Sequence, residues 1–242
     1  MSPSRSPSRS PSRSTLALLY GALVLGVLLP VAARAQSSAV VDEGTFTVTQ
    51  NGVALGRESF RVVRAPAPGG QTFRATGQSA LGDVKVSTAL GTDSSGVPVS
   101  YQSEVSQHGE VVQNLNGRGR PGRFSVLAQS KSGESAREYV LNSGALLIDE
   151  GVFHHFFFVP LAVQHPQVIV IAPRSSQQER FRLEERGNEN VDIAGRSIPS
   201  RHFALIGPSG ASRDVWTDDK GRLLKVSIPE KGLVALRDDP PR

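Results

Sequence analysis

The chain has 242 residues, with 27 Lys+Arg against 22 Asp+Glu and a sequence pI near 10.0. Apolar residues at 38% and charged residues at 20% exclude a fully disordered chain and a polytopic membrane protein. Cysteine is absent, which excludes disulfides, thiolate zinc sites, a Cys nucleophile and a lipid-anchored cysteine.

The first segment reads as an export signal. A Ser-Pro-Arg repeat carries Arg5, Arg9 and Arg13, an apolar run follows from Leu16 to Leu29, and Ala33-Arg34-Ala35 supplies a small-x-small cleavage site. The apolar run falls short of the ~20 residues of a membrane span. A retained N-terminal anchor and a mis-set start codon are the competing readings. Cleavage after residue 35 removes four arginines and no acid, leaving 23 basic residues against 22 acidic ones. The pI therefore gives no support for a nucleic-acid partner. The expected location is the periplasm or the extracellular space. Peripheral association with the envelope is open, and no transmembrane span is expected after cleavage.

From Gln36 onward the chain predicts a β meander, because apolar residues recur at period two. Phe46 and Val48 alternate with Thr45, Thr47 and Thr49, and Asn51-Gly52 marks a type I′ hairpin. Further strands are expected at 56–64, 72–80, 84–90, 97–107, 110–115, 123–130 and 136–141. In the strand 97–107, Val97, Val99, Tyr101, Ser103 and Val105 are expected to share one face. Residues 116–122 read as a glycine-rich loop. The segment 152–163, VFHHFFFVPLAV, lacks period two and is the one helix or lid candidate, limited by Pro160. Residues 168–172 are continuously apolar, as in a strand covered on both faces. Strands follow at 179–185, 191–193, 201–206, 213–216 and 223–228, and the polar, Pro-rich tail 237–242 reads as loose. About a dozen strands without a linker predict one domain over 36–242. Its expected class is mainly β: a curled antiparallel sheet or incomplete barrel with one short helical lid.

Chemical motifs are few. Gly117 to Gly122 matches G-x-G-x-x-G, but a strand follows where a dinucleotide loop needs a helix, so it reads as a hairpin. Arg118, Arg120 and Arg123 make a basic hairpin tip, read as a solvated loop with anionic lipid or polymer as the alternative. His154 and His155 are the weak metal candidates. Adjacent side chains diverge on a helix or a strand, so no metal is assigned. His202 reads as a satisfied, half-buried histidine. No nucleophile elbow, S-x-x-K or P-loop occurs. A triad of scattered residues stays open, since triads are defined by geometry. No cofactor is expected. Phe153, Phe156, Phe157, Phe158 and Leu161 read either as core or as the lining of an apolar pocket.

Two segments resemble a known group. Glu43 to Val62 looks like the first hairpin of secreted bacterial β-rich proteins of unknown function. Trp216, the turn 218–221, then Leu223, Leu224 and Val226, resemble the closing segment of the same families. These are similar to the LolA/LolB-like lipoprotein-carrier fold, a half-closed antiparallel barrel with a helical lid. The resemblance implies the architecture and, as a class of ligand, a lipid acyl chain. It carries no catalytic residue. The leading expectation is an exported, non-enzymatic protein that binds an apolar or lipid-like ligand in a curled sheet. Its candidate lid and cavity residues are Phe153, Phe156, Phe157, Phe158, Leu161, Tyr101 and Trp216. The alternatives are an envelope structural or interaction protein with a filled core, and a hydrolase with a dispersed triad.

Overall fold

The computed structural model describes residues 38–68 and 70–242; the segment 1–35, expected to be an export signal, lies outside them. Among the described residues, one sheet has fifteen strands. The first eight strands are β1 (Ala39–Gln50), β2 (Val53–Ala67), β3 (Gly70–Leu81), β4 (Val84–Asp93), β5 (Pro98–Gln107), β6 (Glu110–Arg120), β7 (Arg123–Ser130) and β8 (Gly133–Val140). They form a plain antiparallel meander that grows outward from β1. The others are β9 (Ala145–Leu147), β10 (Gln167–Ala172), β11 (Gln177–Ile193), β12 (Arg196–Ile206), β13 (Ser212–Thr217), β14 (Leu223–Ile228) and β15 (Leu233–Arg237). These start at the far edge and return inward, so the last strand pairs with the first, Val48 opposite Ala235. Among the described residues, only β9 and β10 run parallel.

The order forces the sheet to curl. Its two edges are β8 and β9, consecutive in sequence and separated by residues 141–144. Laid flat, fifteen strands at ~4.8 Å would place those edges about 67 Å apart. Four residues span at most about 17 Å when five virtual bonds are fully extended. The sheet therefore rolls into an incomplete barrel. At the seam, the Gln178 amide on β11 closes the gap at one end of β8: it donates to the Val140 carbonyl (2.7 Å) and accepts from the Val140 N–H (3.1 Å).

Local sequence sets the turns as expected. Asn51 and Gly52 both take positive φ (49° and 80°), the type I′ requirement. Four expectations fail for physical reasons. First, a register shift opposite Gly91–Thr92 bulges β5 at Val99, so Val99 is exposed while Pro98 is buried. Second, residues 116–120 are strand rather than loop. Gly117 is needed there because a Cβ would lie 2.6 Å from the Phe124 ring. Third, 179–185 and 191–193 are one strand, bent at a bulge where Gly187 has φ +104°. Fourth, the tail is held. Asp238 accepts hydrogen bonds from Thr45 (2.5 Å), Thr47 (2.6 Å) and Arg57 (2.5 Å). Burial works to raise the Asp238 pKa, but these three donors outweigh it and hold the carboxyl below its ordinary value. The short strands β9 and β15 have no counterpart in the period-two pattern, because three and five residues carry too little of it.

The concave face holds the main core, which gathers Phe46, Phe60, Val62, Leu90, Tyr101, Phe124, Phe203 and Leu223 around the segment 152–163. A second, small cluster of Val191, Ile193, Trp216 and Leu224 is separate from it. It forms because the long β11–β12 hairpin carries Val191 and Ile193 past the Gly187 bulge.

Candidate functional site

The segment 152–163 is not a lid on the outside but a plug in the barrel. It forms two short 3-10 helices, His154–Phe158 and Pro160–Ala162. Phe153, Phe156, Phe158 and Val159 are almost fully buried and Phe157 nearly so, while Leu161 is half-buried against the same core. Phe73 meets the edges of Phe157 and Phe158 at 6.0 and 6.2 Å between centroids.

One side chain anchors the plug. Glu58, on β2, has a fully buried carboxylate that accepts the backbone N–H groups of Phe153 (2.7 Å) and His154 (2.6 Å) and the His154 Nδ1–H (2.9 Å). These are the orphan donors at the start of a helix, which need an acceptor. With Nδ1 donating to Glu58, His154 Nε2 accepts the Thr88 hydroxyl at 3.4 Å. Phe60 stacks on the same imidazole, and Gly77 makes room for it: a Cβ there would lie 2.5 Å from His154 Cε1. Sequence reasoning passed over Glu58. The available signal was parity, since Glu58 shares its face of β2 with Phe60 and Val62.

His155 belongs to a second buried group. Its Nδ1 accepts the Asp149 N–H at 3.3 Å, which leaves the proton on Nε2, a buried atom without a partner among the described residues. Asp149 accepts the Tyr101 hydroxyl at 2.6 Å and the N–H groups of Glu150 and Arg174. Burial, and then the Asp149 charge, push the Tyr101 pKa far above its ordinary value of 10.0. Burial also raises Asp149. Burial, with His154 beside it, pushes the His155 imidazole well below 6.5.

His155 therefore couples stability to pH. The ring is neutral in the fold, while the unfolded chain protonates near pH 6.5. Its contribution is whole above 6.5 and is lost as pH falls toward the depressed folded pKa. Over that window the loss is about 1.4 kcal/mol per pH unit. His155→Phe is expected to flatten this acid limb in urea titrations between pH 6.5 and 5. An unchanged slope would assign the limb to other groups.

Thr88, His154 and Glu58 are a hydroxyl, an imidazole and a carboxylate in line, the order of a catalytic triad. All three are buried, His154 as part of the plug itself, and among the described residues no cleft brings them together. What the arrangement does chemically is satisfy the plug's backbone. His154 and His155 lie edge to face, 4.7 Å apart, with their Nδ1 atoms on different partners. No group of three metal-ligating residues forms among the described residues.

Trp216 does not belong with the plug. It lies in the separate cluster, with its indole between the stacked His202 ring (4.4 Å) and the Lys225 ammonium (4.4 Å). Its Nε1–H donates to Glu189 at 2.7 Å. His202 meets Glu189 through Nδ1 (2.7 Å) and Asp214 through Nε2 (2.9 Å), so it is satisfied on both sides, as expected. The other expected site residues, Tyr101 and the five plug residues, do come together.

A small opening lies beside the plug, against β13, β14 and β15. It has a volume of about 50 Å³, with Val152, Phe153, Phe156, Ile228 and Leu233 on its apolar side and Asp149, Glu150, Arg213 and Lys231 on its polar side. Among the described residues no helix is long and apolar enough to cross a membrane.

The fold and the site together define a class: an incomplete antiparallel β-barrel filled by an aromatic plug. The chain belongs to the family described as a domain of unknown function, DUF6134, which matches residues 99–236, more than half of its length. That stretch contains the plug and the wall, while Glu58 and Thr88 lie before it. The chain is also similar to a solved structure, the crystal structure of a beta-barrel-like protein of domain of unknown function DUF1849 from Brucella abortus. The two are 10% identical with a TM-score of 0.49, over 81% of this chain and 94% of that one. Among curated proteins no relative matches the sequence.

Proposed function

We propose that this is an exported, non-enzymatic envelope protein that binds an apolar or amphipathic ligand inside its incomplete barrel, in exchange for its own plug. One observation carries the reading: the interior is filled by a segment outside the strand ladder. The strands bond to one another, whereas among the described residues 153–163 reach the sheet by polar contacts through Glu58 and Thr88, and the loop after β9 through the Asp149 N–H. The plug can therefore leave without breaking a ladder. The first hairpin and the closing segment resemble secreted β-rich proteins that are in turn similar to lipid-carrier half-barrels, which points to the same ligand class. The sealed positions of Thr88, His154 and Glu58 support a non-enzymatic role.

Exchange sets the size of the ligand. Uncovering six apolar side chains of the plug costs roughly 12 kcal/mol at about 2 kcal/mol each. At ~0.8 kcal/mol per CH2, about fifteen buried methylenes offset that. A single long acyl chain has this length.

Hydrogen exchange tests the plug. The amides of 153–163 are expected to exchange through a local opening, at lower free energy than core amides of β2 and β12. Native mass spectrometry tests the ligand: after delipidation and re-exposure to phospholipid, a bound lipid mass is expected. A clean apo mass, with plug amides exchanging only on global unfolding, favours the second reading. In that reading the plug is permanent core, and the protein is a structural or interaction component of the envelope; the almost complete burial of Phe153 and Phe158 speaks for it.

A further inference from the structure

At the opening beside the plug, one cation has no partner among the described residues. Arg213, on β13, points to the same face as Val215, into the main core's side of the sheet. Its guanidinium lies over the Phe181 ring, 4.6 Å from the centroid. It makes no hydrogen bond and no ion pair with another described residue, although it is half-buried. The nearby cations are occupied: Lys231 pairs with Glu150 at 3.3 Å, and Arg174 donates to the Glu150 carbonyl at 2.6 Å. The acids Glu230, Glu179 and Glu150 face Arg213 from further out, beyond ion-pair distance. Burial lowers its pKa against their pull.

A half-buried guanidinium over a ring, with no partner among the described residues, keeps its N–H donors free. Those donors match a carboxylate in a bidentate fork. From them the apolar lining leads inward along Ile228, Leu233, Phe153 and Phe156. The other charged groups lining the opening already have partners, Glu150 with Lys231 and Asp149 with the Tyr101 hydroxyl, so Arg213 is its one unpartnered charge beside an apolar interior, which suits an amphiphile with an anionic head.

We propose that Arg213 is the head-group subsite of this protein, and that its ligand is a long-chain carboxylate. The subsite rests on the binding reading above and names the ligand for it. A carboxylate fits better than a phosphate monoester. One guanidinium balances a single negative charge, whereas a dianion would meet Glu230, Glu179 and Glu150 with its excess charge unmatched.

The experiment compares three probes by calorimetry on the delipidated protein: palmitate, its methyl ester, and hexadecyl phosphate. Each is titrated into the wild type, Arg213→Gln and Arg213→Lys. The wild type is expected to bind palmitate at least tenfold tighter than the ester. Arg213→Gln is expected to abolish that preference while ester binding stays within twofold. Arg213→Lys, which keeps the charge but loses the fork, is expected to fall between. Equal binding of acid and ester, unmoved by Arg213→Gln, overturns the subsite and leaves the binding reading standing. Hexadecyl phosphate binding as tightly as palmitate overturns the carboxylate assignment. Binding of none of the three overturns the reading and the subsite together. Ester binding by Arg213→Gln also reports that the variant is folded.

Discussion

Glu58→Ala is expected to destabilise the fold by about 3–5 kcal/mol, the largest effect of any single change at the plug. The carboxylate is the acceptor for three buried donors, two of them backbone N–H groups that nothing else can reach. Removing it leaves all three orphaned in a core without exchangeable partners, at about 1–3 kcal/mol each before relaxation. Relaxation has one direction open to it, because the plug is outside the ladder. Glu58→Ala is therefore expected to release the plug before the sheet. In urea titrations the midpoint should drop, and an apolar dye should bind below the main transition. Glu58→Gln keeps one acceptor oxygen and turns an NH2 toward donors, so it should destabilise too, by less. Equal stability of wild type and Glu58→Ala would show that packing alone holds 152–163.

The second large effect lies at the join between β1 and β15. Asp42 and Arg237 form a buried ion pair at 2.7 Å, with both side chains nearly inaccessible. Arg237 also donates to the carbonyls of Leu223, Glu43 and Asp239, and Asp42 accepts the Leu223 N–H at 2.8 Å. Burial raises the Asp42 pKa even against the pull of Arg237, so desolvation is the larger force here. Asp42→Ala strands a buried guanidinium and should cost about 3–5 kcal/mol. The double variant Asp42→Leu with Arg237→Met removes both charges and should cost clearly less than either single loss. A double-mutant cycle on urea midpoints checks this, and additivity would disprove the coupling. The position matters because β1–β15 pairing is what joins the outward meander to the returning one. The pair sits where the two halves of the sheet meet.

Much of the fold is legible in the linear chain. Period-two alternation marks most strands, and Asn51-Gly52 and His108-Gly109 mark turns that do take positive φ. The departure of 152–163 from that period marks the plug. The pattern misleads where a single residue outweighs it. A bulge at Val99 inverts one end of β5, and Asp238, in a tail that reads as loose, is tied by three side chains of β1 and β2. The site is half legible. The aromatic residues and Tyr101 stand out because apolar clustering is visible in a linear chain. Trp216 is misplaced by the sequence because parity on β13 puts it on the face opposite Val215, and no sequence signal says that the β11–β12 hairpin covers that face. Glu58 and Arg213 escape notice because a charge on an alternating strand looks the same whether its face is wet or dry.

The balance of charge points the same way. The excess of basic residues that gives a pI near 10.0 belongs mainly to Arg5, Arg9, Arg13 and Arg34, which lie outside the described residues. What remains is nearly neutral, so single charges count through their positions and not their sum. By itself the sequence determined most of the strands, the turns, the break in period two at 152–163 and the absence of disulfides. These depend on neighbours along the chain, on period and on residue type. Only the tertiary structure decided that the sheet curls with β15 against β1, that the aromatic segment lies inside, and that Arg213 has no partner among the described residues at its mouth. Those outcomes depend on which distant residues share a face, and Glu58 and Phe153, 95 positions apart, come together only when the barrel rolls.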